Sequence, residues 1–246
     1  MTRAERSLTL RFFIFLLIFS LIAGLFSYFA IQRDASTGSH LPIETVLRPF
    51  TVVLDAGHGG EDGGASSKNG ILEKDLNLSI AFLLKDMLEA NGVTVVMTRT
   101  DDRLLYDRNS NYEGRKKALD LAARKKIAEE TANSIFVSIH MNAYPAAQYS
   151  GLQVWYSPNH PHSKDVADTI QNSVKNSLQP LNERQTKAAT SSIFLLHHLQ
   201  TPAVLVECGF LSNPEEANLL NTKEYQRQLA FSIFLAIMRA QAEENI

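Results

Sequence analysis

The run Thr51-Val52-Val53-Leu54-Asp55-Ala56-Gly57-His58-Gly59-Gly60-Glu61-Asp62-Gly63-Gly64 decides how the rest of the chain is read. It opens on an apolar, β-branched stretch with the composition of a buried strand. Its last ten positions then hold five of the chain's 12 glycines. Glycine lets a backbone turn sharply and lets a large ligand come close. A histidine set on glycines past a strand end is badly placed for packing and well placed for chemistry. His58 is therefore the first candidate ligand of a catalytic metal. A lone histidine after glycine is more often structural, so the reading depends on partners elsewhere in the chain.

Working outward, residues 51–56 form the first strand and the glycine loop follows it. From Glu73 the period becomes helical, with Leu76, Ile80, Leu83, Leu84, Met87 and Leu88 on one face. Asn91-Gly92 suits a left-handed helix cap. Residues 93–97 read as a second strand, 98–111 as a polar surface loop and 113–131 as a second helix. A third buried strand, 134–139, delivers His140 at its end. Residues 152–156 form another strand, and the four-residue recurrence of Val166, Ile170, Val174 and Leu178 marks a helix over 162–178. Residues 181–200 read as a polar loop with a short strand or helix at 193–199. A strand at 203–206 ends at Glu207, a short helix covers 215–220, and a long helix, 225–242, closes the chain. Strands that are continuously apolar and alternate with helices predict an α/β fold, a twisted and mostly parallel sheet flanked by helices on both faces.

Upstream, residues 12–31 contain no charge and are rich in Phe, Leu and Ile, after Arg3, Arg6 and Arg11. Twenty residues at 1.5 Å each reach ~30 Å, the hydrocarbon thickness of a bilayer. The arginines favour an inside amino terminus and an extracytoplasmic remainder. A cleaved signal peptide fits less well, because Ala30 at −1 would put Tyr28 at −3. The expected organisation is a cytoplasmic positive flank over 1–11, an uncleaved anchor over 12–31, a linker over 32–50 and a catalytic domain over 51–243. A formal net charge of −2 argues against a nucleic-acid partner. One cysteine excludes an internal disulfide and leaves any metal site to His and carboxylates.

Four chemical side chains fall at element ends: His58, His140 and Glu207 after strands, and Glu73 at the start of a helix. In an open parallel sheet the carboxyl ends of the strands share one crevice. Two His and two Glu there suit a single catalytic Zn2+, which takes three protein ligands and leaves a position for water, with a further carboxylate as general base. The residues alone leave rivals. Glu61 lies three positions after His58, a spacing that zinc carboxypeptidases use. His197 and His198 are adjacent and point in different directions. His160 and His162 sit in a Pro-flanked loop.

The motifs Leu54-Asp55-Ala56-Gly57-His58-Gly59-Gly60 with Asp62-Gly63-Gly64, Glu73-Lys74-Asp75, Ser138-Ile139-His140-Met141-Asn142-Ala143 and Val206-Glu207-Cys208-Gly209-Phe210-Leu211-Ser212-Asn213 resemble those of the zinc-dependent N-acetylmuramoyl-L-alanine amidases of bacterial cell walls. Four motifs keep their order from Val52 to about Arg239. The resemblance implies zinc on His58, Glu73 and His140, with Glu207 as the catalytic carboxylate, and it favours Glu73 over Glu61. It implies hydrolysis of the amide between N-acetylmuramic acid and L-alanine in peptidoglycan. Ala56 stands where many members carry Pro. Cys208, beside the catalytic glutamate, reads as a packing residue.

Thr98-Arg99 and the basic helix around 115–127 are similar to the germination-specific, spore-cortex amidases. That subgroup prepares muramic acid for conversion to muramic-δ-lactam, with a deacetylase acting next. The implied setting is the cell membrane, single-pass, with the catalytic domain outside. An activating protein remains open. The rival functions are a zinc peptidase cutting within the stem peptide and a non-catalytic wall-binding protein on the same fold.

Overall fold

The computed structural model describes residues 50–243 and Ser20. The expected flank, anchor and nearly all of the linker lie outside the described residues. Among those described, no helix is long and apolar enough to cross a membrane.

The described residues build one six-stranded sheet flanked by helices. Its strands are β1 (Thr51–Ala56), β2 (Thr94–Met97), β3 (Ser134–Asn142), β4 (Gln153–Tyr156), β5 (Lys187–Ala188) and β6 (Ala203–Phe210). The helices are α1 (Glu73–Ala90), α2 (Lys116–Glu130), α3 (His162–Ser177), α4 (Phe194–His198), α5 (Pro214–Leu220) and α6 (Lys223–Ala242). The strand order is β2-β1-β3-β6-β4-β5. Every pairing is parallel except β4 with β6, so the sheet is mixed rather than purely parallel.

Strand alternation sorts the core into two faces. Val52, Leu54, Ile135, Val137, Val204 and Val206 pack on one side with α1, α3 and α6. Val53, Phe136 and Leu205 pack on the other with Leu121, Ala128, Leu195 and Leu196 from α2 and α4. Cys208 faces the first cluster and is fully buried. Its buried thiol is pushed well above its ordinary pKa, first by desolvation and then by nearby carboxylates, which fits packing and not nucleophilic chemistry.

Three expectations change. β3 runs on through His140 to Asn142, and β6 through Glu207 to Phe210, because the parallel ladder continues with His140 opposite Glu207. Neither side chain lies beyond a strand end; each is carried on one. The segment after β2 is not all surface, since Thr98, Arg99 and Leu104 are buried. The second helix begins at Lys116, after a turn in which Gly114 has φ 68°. The stretch 193–199 resolves as the helix α4, and β5 is a two-residue edge strand.

Candidate active site

β1 delivers the glycine loop to the carboxyl edge of the sheet. His58 there has φ 62°, a left-handed conformation rare outside glycine. Four charged hydrogen bonds hold the turn. Arg99 Nε donates to the Ala56 carbonyl (2.8 Å) and Nη2 to that of Gly57 (3.1 Å). Arg124 Nη1 donates to the Ala56 carbonyl (2.8 Å) and Nη2 to that of His58 (2.7 Å). Both arginines are 1% exposed. Arg124 is paired to Asp55 (2.6 Å) and Asp120 (2.8 Å). Asp55 also accepts from Ser138 Oγ and Thr98 Oγ1. Burial would raise the Asp55 carboxyl, but Arg124 and the two hydroxyls outweigh it and hold the group below its usual range.

Glu73, at the first position of α1, is 3% exposed. Its Oε1 lies 2.8 Å from His140 Nδ1 and 3.3 Å from His58 Nε2. Met141 N donates to the same oxygen and Ala65 N to Oε2. The two imidazole rings meet edge to face with centroids 4.9 Å apart. Burial alone would raise the Glu73 carboxyl; the two imidazoles prevail and keep it far below the usual carboxylate range. Burial alone would lower His58, but Glu73 and Asp62 raise it instead. Asp62 Oδ2 sits 2.9 Å from His58 Nδ1, within ion-pair distance behind the ring.

One ligand atom from each of His58, Glu73 and His140 lies within 4.8 Å of the others, a set able to hold a metal ion. The cluster's own side chains leave no room for a Cβ at Gly57 or Gly64. A Cβ on Gly57 would fall 2.2 Å from His140 Nε2, and one on Gly64 would fall 2.5 Å from Glu73 Oε2. Two imidazoles and a carboxylate are a donor set that zinc accepts.

Glu207 projects from β6 on the same sheet face as Ser138 and His140, opposite Gln153 of β4. Its Oε2 is buried and has no hydrogen-bond partner among the described residues. Burial raises its carboxyl to about 7, with His140 opposing and Glu73 adding to the rise. Glu207, His58 and His140 line a cavity of about 230 Å³ whose other wall is Lys117 and Leu121 of α2 and Ile193 and Phe194 at α4.

Glu61 does not join the cluster. It points outward, bonded to Lys116 Nζ (3.0 Å) and Tyr106 OH (2.9 Å), and those partners, Lys116 first, bring its carboxyl down to about 2. His197 and His198 are exposed on α4, where His198 stacks on Phe194. His160 and His162 lie side by side at the start of α3, in no metal-holding group of the described residues. Sequence reasoning missed the two arginines and Asp120. The Asp120/Arg124 spacing of four on a charged helix is also that of an ordinary solvent-facing pair, so nothing in the local sequence marks this one as buried.

Residues 52–239 match the N-acetylmuramoyl-L-alanine amidase family. The chain is 35% identical over 236 residues to the germination-specific N-acetylmuramoyl-L-alanine amidase of Bacillus subtilis, covering 96% of this chain and 97% of that protein. It is also similar to the solved structure of the CwlD amidase from Clostridioides difficile in complex with the GerS lipoprotein, with 38% identity and a TM-score of 0.73 over 77% of this chain and 97% of that one. The amidase AmiC2 of Nostoc punctiforme is 31% identical, with a TM-score of 0.66 over 77% of this chain and 96% of its own.

Proposed function

This chain belongs to the N-acetylmuramoyl-L-alanine amidase family, and on that premise we propose that it hydrolyses the muramyl–L-alanine amide of peptidoglycan with one zinc ion on His58, Glu73 and His140. The observation that carries the reading is the convergence of two imidazoles on one buried carboxylate, with Glu207 paired in register to His140. A zinc ion in that cluster supplies Lewis acidity to the scissile carbonyl and to the attacking water.

Glu207 is the general base in this reading. Its buried carboxyl near 7 suits both taking a proton and returning it. It accepts a proton from the water as the new C–O bond forms at the lactyl carbonyl. It then gives that proton to the L-alanine nitrogen as the C–N bond breaks. The products are a lactyl carboxylate on the sugar and a peptide with a free L-alanine amino terminus.

The spore cortex is the proposed setting, supported by similarity to a germination-specific amidase and by the same subgroup features in the sequence. The charge-free run over 12–31 and its upstream arginines support an anchor in the cell membrane with the catalytic domain outside. The neighbouring amidase was solved with a lipoprotein, and a lipoprotein partner is the activator we propose here. A deacetylase acting on the peptide-free muramic acid would follow.

Glu207→Gln tests the central role. It should keep the zinc content of the wild type and lose peptide release by about 10²–10⁴-fold. Muropeptide mass spectrometry reads the outcome, since an amidase leaves peptide-free glycan and free L-alanine termini. Wild-type release of shorter stem peptides, with the muramyl amide intact, would favour the zinc peptidase instead.

A further inference from the structure

We propose that Tyr106 and Tyr112 form a saccharide subsite beside the metal cluster, one that binds an N-acetylhexosamine of the glycan strand. The inference rests on the amidase reading above, because that substrate brings a sugar chain to the cleft along with its peptide.

The two rings lie 5.0 Å apart at 49° to each other. Both are half-buried, and neither belongs to either hydrophobic core of the described residues. Their positions are nonetheless fixed. Tyr106 OH donates to Glu61, Lys116 Nζ bonds the same carboxylate oxygen, and that ammonium lies over both rings, 5.4 Å from the Tyr112 centroid and 5.7 Å from that of Tyr106, with Arg108 also over Tyr106 at 5.7 Å, so a sugar would stack on the ring area these cations leave free. Glu61 and Lys116 immediately precede Asp62 and Lys117, which line the cleft. The platform therefore adjoins the cleft on the glycine-loop side.

A pyranose is amphipathic. Its C–H face packs against the negatively polarised face of an aromatic ring, while its hydroxyl and acetamido groups need polar partners around the rim. Tyrosine offers such a face together with a polar tip. Asn109 and Asn111, exposed and between the two tyrosines in sequence, carry amides able to act as donors and acceptors to such groups. Two tyrosines held rigid outside a core lose little conformational freedom when a sugar stacks on them. Glu61, excluded as a metal ligand by its geometry, acquires a role here as the post that sets Tyr106.

The test compares kcat/KM of the full-length chain on a muramyl tripeptide and on a peptide-bearing glycan of four sugars. The wild type should prefer the longer substrate. Tyr106→Ala and Tyr112→Ala should each cut that preference at least about fivefold, the loss of one stacked ring. Tyr112→Phe, which keeps the ring, should hold the wild-type ratio. So should Phe231→Ala, on the outer face of α6. Calorimetric binding of a peptide-free glycan tetrasaccharide should weaken in step for the alanine variants, independently of turnover. An unchanged ratio in both alanine variants, or no tetrasaccharide binding by the wild type, overturns the subsite. Tetrasaccharide binding without peptide release from either substrate overturns the amidase reading and leaves the subsite standing.

Discussion

Replacing Arg124 by Met removes the cation beneath the glycine loop while keeping most of the side chain's length and apolar bulk. The ion pairs it breaks are among the most buried in the described residues, with Asp55 1% and Arg124 2% exposed at the side chain. Removing one partner of a buried pair leaves an uncompensated charge and costs about 3–5 kcal/mol. Asp55 keeps its bonds from Ser138 and Thr98, which puts the expected loss at the low end. For a domain of this size, each kcal/mol is worth roughly 2–4 °C in Tm, so the variant should melt about 6–12 °C below the wild type at pH 7.

The sign of the pH dependence sharpens this test. In the wild type the Asp55 carboxyl is held below its ordinary 3.8, so its contribution is full above that pH and fades as pH falls through the lowered value. In Arg124→Met, burial acts without the cation and raises the carboxyl. Its penalty is then absent below 3.8 and grows as pH rises through the raised value. The stability gap between the two proteins should therefore shrink as pH drops from 7 toward 4. The double variant Asp55→Asn/Arg124→Met should lose less than the sum of the two single changes. Urea unfolding at pH 7 and pH 4.5 measures the gap. A loss under about 1 kcal/mol at pH 7, or a gap that widens on acidification, would refute the buried-charge account.

Three further outcomes follow from the site. Gly57→Ala drives a methyl to 2.2 Å from His140 Nε2, so zinc affinity read by competition with a chelator should fall about 10–100-fold, as when a ligand's support is lost. Zinc at about 100 times its Kd should stabilise the chelator-stripped protein by about 2.7 kcal/mol, and His140→Ala should remove that gain; equal melting with and without zinc would sink the three-residue site. Cys208 should resist a thiol reagent in the folded protein and react once urea unfolds it, since the thiol is fully buried with a raised pKa.

What the sequence revealed depended on whether the signal was local. β1, the glycine loop and α1 are legible because an apolar run, a glycine cluster and a 3.6-residue period each fit within a short window. The ends of β3 and β6 are not. His140 and Glu207 break the apolar pattern and look like stops, yet the backbone ladder continues beneath them while the side chains turn into the crevice. Arg99 reads as a loop residue because its partners at Ala56 and Gly57 are 43 and 42 positions away. The antiparallel direction of β4 did leave a trace. Only ten residues separate β3 from β4, with no helix between them, too short a link for the crossover that a return in the parallel direction needs. β5, with two residues at the sheet edge, carries no periodic signal at all.

The strained turn at His58 explains why so much buried charge is gathered under one loop. A non-glycine residue in the left-handed region costs on the order of 1–3 kcal/mol. A hydrogen bond from a charged donor contributes about 1.5–3 kcal/mol, and four of them end on the three carbonyls of Ala56, Gly57 and His58. The bonds at least match the strain even if half of their strength is lost to desolvating the guanidinium groups. Asp55 and Asp120 neutralise Arg124 in turn, so the positive charge needed to hold the loop does not reach the metal cluster unbalanced. His58 is thus set for binding before any ligand arrives. Its orientation and the stability of the sheet edge then depend on the same arginine, and Arg124→Met should weaken zinc binding and folding together, although Arg124 makes no hydrogen bond or ion pair with the side chain of His58, Glu73 or His140.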